Sequence, residues 1–386
     1  MERETEMKEV RAYIERLRSL KQRDVPPIYT YRLIVSAQAR FAVNSIVRTE
    51  PILPLQRTER AGTLPEVNYL LQWVDVPNAL QGNVIAANNL GVDFAAILGL
   101  STGRKVAFAN EFSVRRQGAN QLAFIPIGVS LDSELYAPIT TAVEERTSAI
   151  IQAICELPLV KAEALGGSIR MRNAACGLVD SDHSTAYGLL VMAVEALSGR
   201  FGSAPNTWED WDKASEWNKL FAENSFDEGQ RQAIRAALIG DKQVRLRRTF
   251  IEYAANGLDD SFWSSHYQSY APVIEITQQG ARWMDETGKV EDMGAMTEIV
   301  PDGPAILRKR LGKSYDARSV VVHHGARIDQ IVSMRRGVSA PGDPLPFHVL
   351  RRILDHLLWG EIERGSEGAL ELPIGKFIGK PGTAAG

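Results

Sequence analysis

The chain has 386 residues, more than one comfortable core holds, and this length predicts two domains. Apolar residues make up 45% and charged ones 24%, an ordinary globular balance, and a net charge of −3 excludes a protein that coats nucleic acid through bulk charge, though not a local basic site. The two cysteines, Cys155 and Cys176, exclude a disulfide framework and a cysteine-based zinc site.

From the start, Met7, Val10, Ile14, Leu17 and Leu20 recur at helical spacing among charges, which predicts an amphipathic helix ended by the prolines of "VPP" (25–27). This segment has no apolar core of signal-peptide type, and no stretch approaches 18 consecutive apolar residues. A cytoplasmic chain with no membrane partner is expected. Aromatic and β-branched runs bounded by Gly, Pro and Asn predict strands at 28–35, 67–76, 104–116 and 122–129. Between them, 84–103 has the length and Ala/Leu content of a helix, with Gly103 near its end. Residues 1–150 therefore read as a mixed α/β domain.

From about residue 183 the pattern turns helical. Segments 182–201, 227–241, 243–258, 305–328 and 346–365 carry apolar stripes with no convincing strand between them, which predicts a helical bundle over 151–386. An irregular insert is expected near 262–300, and 372–386 reads as an extended tail. The fold class expected for the whole chain is α+β, with the mixed domain first and the all-α bundle behind it.

Familiar chemical motifs are missing: there is no phosphate loop, no dinucleotide fingerprint, no His-Glu-x-x-His and no Gly-x-Ser-x-Gly. "GLSTGRK" (99–105) has the wrong spacing for a phosphate loop and closes a helix instead of opening one. Asp180, Asp182 and His183 have metal-ligand chemistry, but they stand at a helix start, where capping accounts for them. No cofactor and no metal ion is expected. Arg351 and His356 lie within a helix whose side Val349, Leu350, Ile353, Leu354, Leu357 and Leu358 is apolar, so structural roles are expected for both.

"YDARSVVVHHGAR" (315–327) is different. Gly312 is expected to break or bend the helix leading into it. On an α-helix Ser319 and His323 share a face, whereas Arg318 and His323 diverge by about 140°. One such pair closes poorly on a small ligand, while two copies across a two-fold axis would surround a phosphate. Valines 320–322 form an apolar strip suited to another helix or another subunit. A buried helix with His323 and His324 hydrogen-bonded in place fits the same residues, and the residues alone leave both readings open.

Here the chain resembles the HEPN superfamily of helical-bundle proteins, and within it the abortive-infection ribonucleases. The string "YDxRSxxVHxG" is met by Tyr315, Asp316, Arg318, Ser319, Val322, His323 and Gly325, and His324 departs from it where glycine is common. "LLVMAVEAL" (189–197) resembles the first bundle helix of that subgroup, and the likeness covers roughly 183–365.

The resemblance implies a metal-independent endoribonuclease of phage defence or stress-induced growth arrest, with RNA as substrate. Its composite site would be built by a homodimer, and a neutralising or regulatory protein is a possible partner. The implied catalytic residues are Arg318, His323, Ser319 and His324. The chemistry agrees: His323 titrates near neutrality, Arg318 forks onto phosphate, and Ser319 lies one turn before His323. Basic surface is expected from 308–310, Arg327 and 335–336. The alternative is a catalytically silent HEPN module binding RNA, nucleotide or a partner protein. A third reading is an assembly protein whose N-terminal region carries the function.

Overall fold

The computed structural model describes residues 7–19, 28–35, 48–51, 63–65, 67–74, 84–104, 106–109, 124–126, 132–138, 142–203, 207–209, 211, 213–240, 242–277, 280–300, 303–324 and 343–366. The architecture is α+β and predominantly helical. None of the described helices is long and apolar enough to cross a membrane.

Helix α1 (Lys8–Ser19) buries Val10 and Ile14, the spacing read in the sequence. Strands β1 (Ile28–Val35), β2 (Arg48–Pro51), β4 (Val67–Val74) and β5 (Val106–Ala109) form an antiparallel sheet in the order β2-β4-β1-β5. A separate two-stranded pair joins β3 (Thr63–Pro65) to β6 (Phe124–Pro126). Between them runs α2 (Val84–Thr102), with Leu90, Phe94, Ile97 and Leu98 fully buried. It stops at Gly103, whose φ of +68° suits a residue without Cβ.

Two helices that the sequence patterns did not suggest follow, α3 (Val143–Glu156) and α4 (Leu159–Leu178). Next comes α5 (His183–Phe201), opened by the Asp182 side chain, which accepts from Thr185 N at 3.1 Å as a helix cap. α4 and α5 pack through small residues, and Ser168 Oγ donates to the Ala193 carbonyl at 2.8 Å across their interface. α5 also touches α8 (Lys242–Asn256), α11 (Gly303–His324) and α12 (Phe347–Gly365), and α8 touches α11. Tyr187, Leu190, Val191, Val194 and Leu197 of α5 are fully buried at the centre of this group.

One hydrophobic core runs from Met7 through α2, α3, α4 and α5 to Ile362. A boundary at residue 150 falls inside α3, and buried side chains on both sides of it share that core. Helices α6 (Ala214–Glu223) and α7 (Glu228–Gly240) pack instead around Trp208, Trp211 and Phe221, with the Arg235 guanidinium over Trp208.

Two local expectations are corrected. The span 262–300 is not irregular: after α9 (Asp260–Ser264) it forms the antiparallel hairpin β7 (His266–Thr277) and β8 (Gly280–Ala295), followed by the short α10 (Met296–Ile299). Register shifts at three points break the two-residue alternation, which hid the strands from a pattern reading. Nor does Gly312 interrupt α11, which is continuous from Gly303 to His324. A Cβ at Gly312 would stand 2.7 Å from Arg247 Nη2 and 3.5 Å from Ile251, so this glycine lets α8 approach.

A charged network ties the two halves of the sequence together. Arg351 reaches fully buried Asp132, and it donates to Glu134 at 2.7 Å and Asp355 at 2.8 Å. Arg172, also fully buried, holds the other edge of Asp355 at 2.9 and 3.0 Å. Burial pushes the Asp355 carboxyl up, but Arg172 and Arg351 more than offset it and hold it below the usual carboxylate range.

His348 sits beside this network with its ring 4.7 Å from that of Tyr267, and burial lowers its pKa to about 4. Well above pH ~6.5, the unfolded value, the ring is neutral whether folded or not and contributes nothing to pH dependence. As the pH falls from there toward 4, the unfolded chain takes a proton that the native site refuses. Stability should drop by on the order of 3 kcal/mol across that window. Glu134, held above its usual range first by burial, works in the opposite sense. Urea denaturation at stepped pH should therefore show a shallower slope for His348→Phe than for the wild type.

Candidate functional site on helix α11

The "YDARSVVVHH" string occupies the last turns of α11. Four of its residues anchor the helix. Tyr315 packs on Phe250 of α8, ring centroids 5.3 Å apart, and Arg247 donates to Asp316 at 3.1 and 3.4 Å. Ala317 and Val321 lean on the core. Burial, then the nearby charge of Glu195, raises the Tyr315 pKa. Just upstream, Ser314 accepts from the Leu345 backbone N at 3.0 Å, and Tyr187 donates to the Leu345 carbonyl at 2.9 Å. The entry to α12 is thereby fixed against α11.

Arg318 is held in place. Its Nη2 lies 3.5 Å from Glu195 Oε2 on α5, with the two side chains only 17% and 19% exposed. Ser319, the next residue, is half-buried. Val320 and Val322 are 46% and 50% exposed, so two of the three valines face outward and only Val321 packs inward.

His323 and His324 close the helix, and their side chains lie outside the described residues, as do Arg327, Arg335 and Arg336. The helical backbone places the Cα atoms of Arg318 and His323 about 7.5 Å apart along the axis and about 140° apart around it.

The basic surface expected at 308–310 is corrected in part. Arg310 is fully buried and donates to the carbonyls of Asp343 and Pro344 at 3.2 and 3.3 Å. Arg308 pairs with Glu252 at 3.1 Å but stays exposed, as does Lys309.

The second Arg/His pair has a different setting. Arg351 is the hub of the buried network, while His356 lies 3.6 Å from Asp259 and meets the Phe262 ring edge-on at 5.5 Å. His356 lines a cleft of about 600 Å³ together with Phe201, Tyr253, Leu357 and Glu361. Tyr253 donates to Glu361 there at 2.7 Å.

The sequence reading missed Glu195. Its one visible sign was a lone carboxylate within the apolar run "LLVMAVEAL". The arrangement on α11 offers a half-buried guanidinium, a hydroxyl one residue on, and the polar end of a helix flanked by exposed valines. Such a set has the chemistry to hold an oxyanion and, with a histidine in reach, to move a proton. Compared with known proteins, the chain matches no family model, no curated protein and no solved structure.

Proposed function

We propose that the chain is a HEPN-type endoribonuclease of phage defence or stress-induced growth arrest, with Arg318 and His323 as its principal catalytic residues. The observation that carries this reading is the placement of Arg318. It stands on α11, drawn to Glu195 of α5 within the group of packed helices, and is followed by Ser319 and two outward valines. RNA supplies its own nucleophile, the ribose 2′-hydroxyl. In the proposed step the 2′-oxygen bonds to phosphorus, the bond from phosphorus to the 5′-oxygen breaks, and a 2′,3′-cyclic phosphate and a 5′-hydroxyl result. His323 transfers the proton lost by the 2′-hydroxyl to the departing 5′-oxygen, Arg318 stabilises the charge on the phosphoryl oxygens, and Ser319 orients His323 or holds a phosphoryl oxygen. Neither a cofactor nor a metal is called for by this chemistry.

Because Arg318 and His323 diverge on one helix, two copies would build the site, with Val320 and Val322 between them. A two-fold homodimer is the expected species in sedimentation at micromolar concentration. The double substitution Val320→Glu, Val322→Glu is expected to yield a folded monomer with RNA cleavage reduced at least about tenfold. A monomeric wild type that still cleaves would remove the composite site.

One observation favours a second reading, a catalytically silent HEPN module that binds RNA, nucleotide or a partner protein. Glu195 already compensates the charge of Arg318. Expression of the wild type beside Arg318→Ala, scored for growth arrest and RNA fragmentation, separates the two. The enzyme reading expects both effects from the wild type alone, and the silent module expects no RNA fragmentation from either.

A further inference from the structure

We infer that Glu195 is a positioning residue for Arg318, an inference that rests on the ribonuclease reading above. Its neighbours on α5, Ala193, Val194 and Leu197, are fully buried, so a carboxylate among them is costly to desolvate unless it meets a cation. The cation it meets is Arg318, 3.5 Å away and as sheltered as itself. This contact works by charge, since among the described residues neither Glu195 Oε2 nor Arg318 Nε has a hydrogen-bond partner. The guanidinium is thus drawn toward α5 without all its donors being used. Guanidinium carries five N–H donors in a planar fork, and one edge turned to a carboxylate leaves others for phosphoryl oxygens. Tyr315 stands beside the pair, and its ring is braced on Phe250. Without Glu195, a long arginine side chain near a helix end must be immobilised during the reaction itself, which slows the chemical step more than it weakens binding.

The test is steady-state cleavage of a mixed-sequence single-stranded oligoribonucleotide by wild type, Glu195→Gln, Glu195→Ala, Arg318→Ala and the Glu195→Gln/Arg318→Ala double variant. Glu195→Gln keeps the shape and removes the charge. It is expected to lower kcat about tenfold with KM within about twofold, as much as Glu195→Ala does. In the Arg318→Ala background it should cost nothing further, and its thermal midpoint should stay near that of the wild type.

A Glu195→Gln enzyme as fast as the wild type, or an additive loss in the double variant, would overturn the inference while leaving the ribonuclease reading intact. A faster Glu195→Gln enzyme would also overturn it, by showing a carboxylate that obstructs Arg318. Equal cleavage by wild type and Arg318→Ala would instead sink the ribonuclease reading, and the role of Glu195 with it.

Discussion

Arg318→Ala is expected to lower the rate of RNA cleavage by about 100-fold or more, the usual consequence of removing a cation aimed at charge that develops in the transition state. The fold should survive, because the side chain is partly exposed and its ion pair with Glu195 joins two helices already packed through apolar residues. Arg318→Lys should recover only part of the rate, since an ammonium cannot fork onto two oxygens. His323→Ala is expected to cost a similar factor through loss of proton transfer. His324→Ala tells the two histidines apart. A small effect assigns the chemistry to His323, whereas total loss with His323→Ala tolerated moves it one residue on. Rates from the purified proteins, with circular dichroism to verify folding, settle each case. Undiminished cleavage by a variant lacking both histidines would end the nuclease reading at this helix.

Arg351→Leu should be the most destabilising single change of this set, costing about 3–5 kcal/mol in urea denaturation. Its guanidinium contacts Asp132, Glu134 and Asp355, and Asp132 has no exposure through which water could replace that charge. Replacing Asp132 as well, in Arg351→Leu/Asp132→Leu, should return a good part of the loss, because it is the uncompensated buried charge that costs most. Two independent, additive losses would contradict this account of the network. Arg351 and His356 share their spacing with Arg318 and His323, so the comparison also weighs what that spacing is worth. One arginine is a hub inside the fold, and the other sits near a helix end beside outward valines.

What was legible in the sequence followed local pattern. β1 coincides with the aromatic and β-branched run 28–35, and α5 and α12 lie within one residue of the stretches marked by capping and apolar stripes. α4 escaped notice because it is buried on most sides and its small residues, Ala and Gly, are scattered along it, so no stripe distinguishes one face. Bulges disguised the hairpin, and Gly312 looked like a break when its role is close approach between helices. The site was legible only along its own helix. Glu195 precedes Arg318 by more than a hundred positions, and Asp132 and Arg351 are 219 positions apart, so neither pairing has a sequence signature. Arg310 shows the same limit from the other side: a residue in a basic run, "RKR", is used on buried backbone carbonyls.

The end chemistry of the RNA products tests the central claim most directly. RNA incubated with the wild-type protein in EDTA, then mapped at its new termini, should carry 2′,3′-cyclic phosphate and 5′-hydroxyl ends, formed about 100-fold more slowly or slower still by Arg318→Ala. Products with 3′-hydroxyl and 5′-phosphate ends, cleavage abolished by EDTA, or equal cleavage by the variant would contradict it.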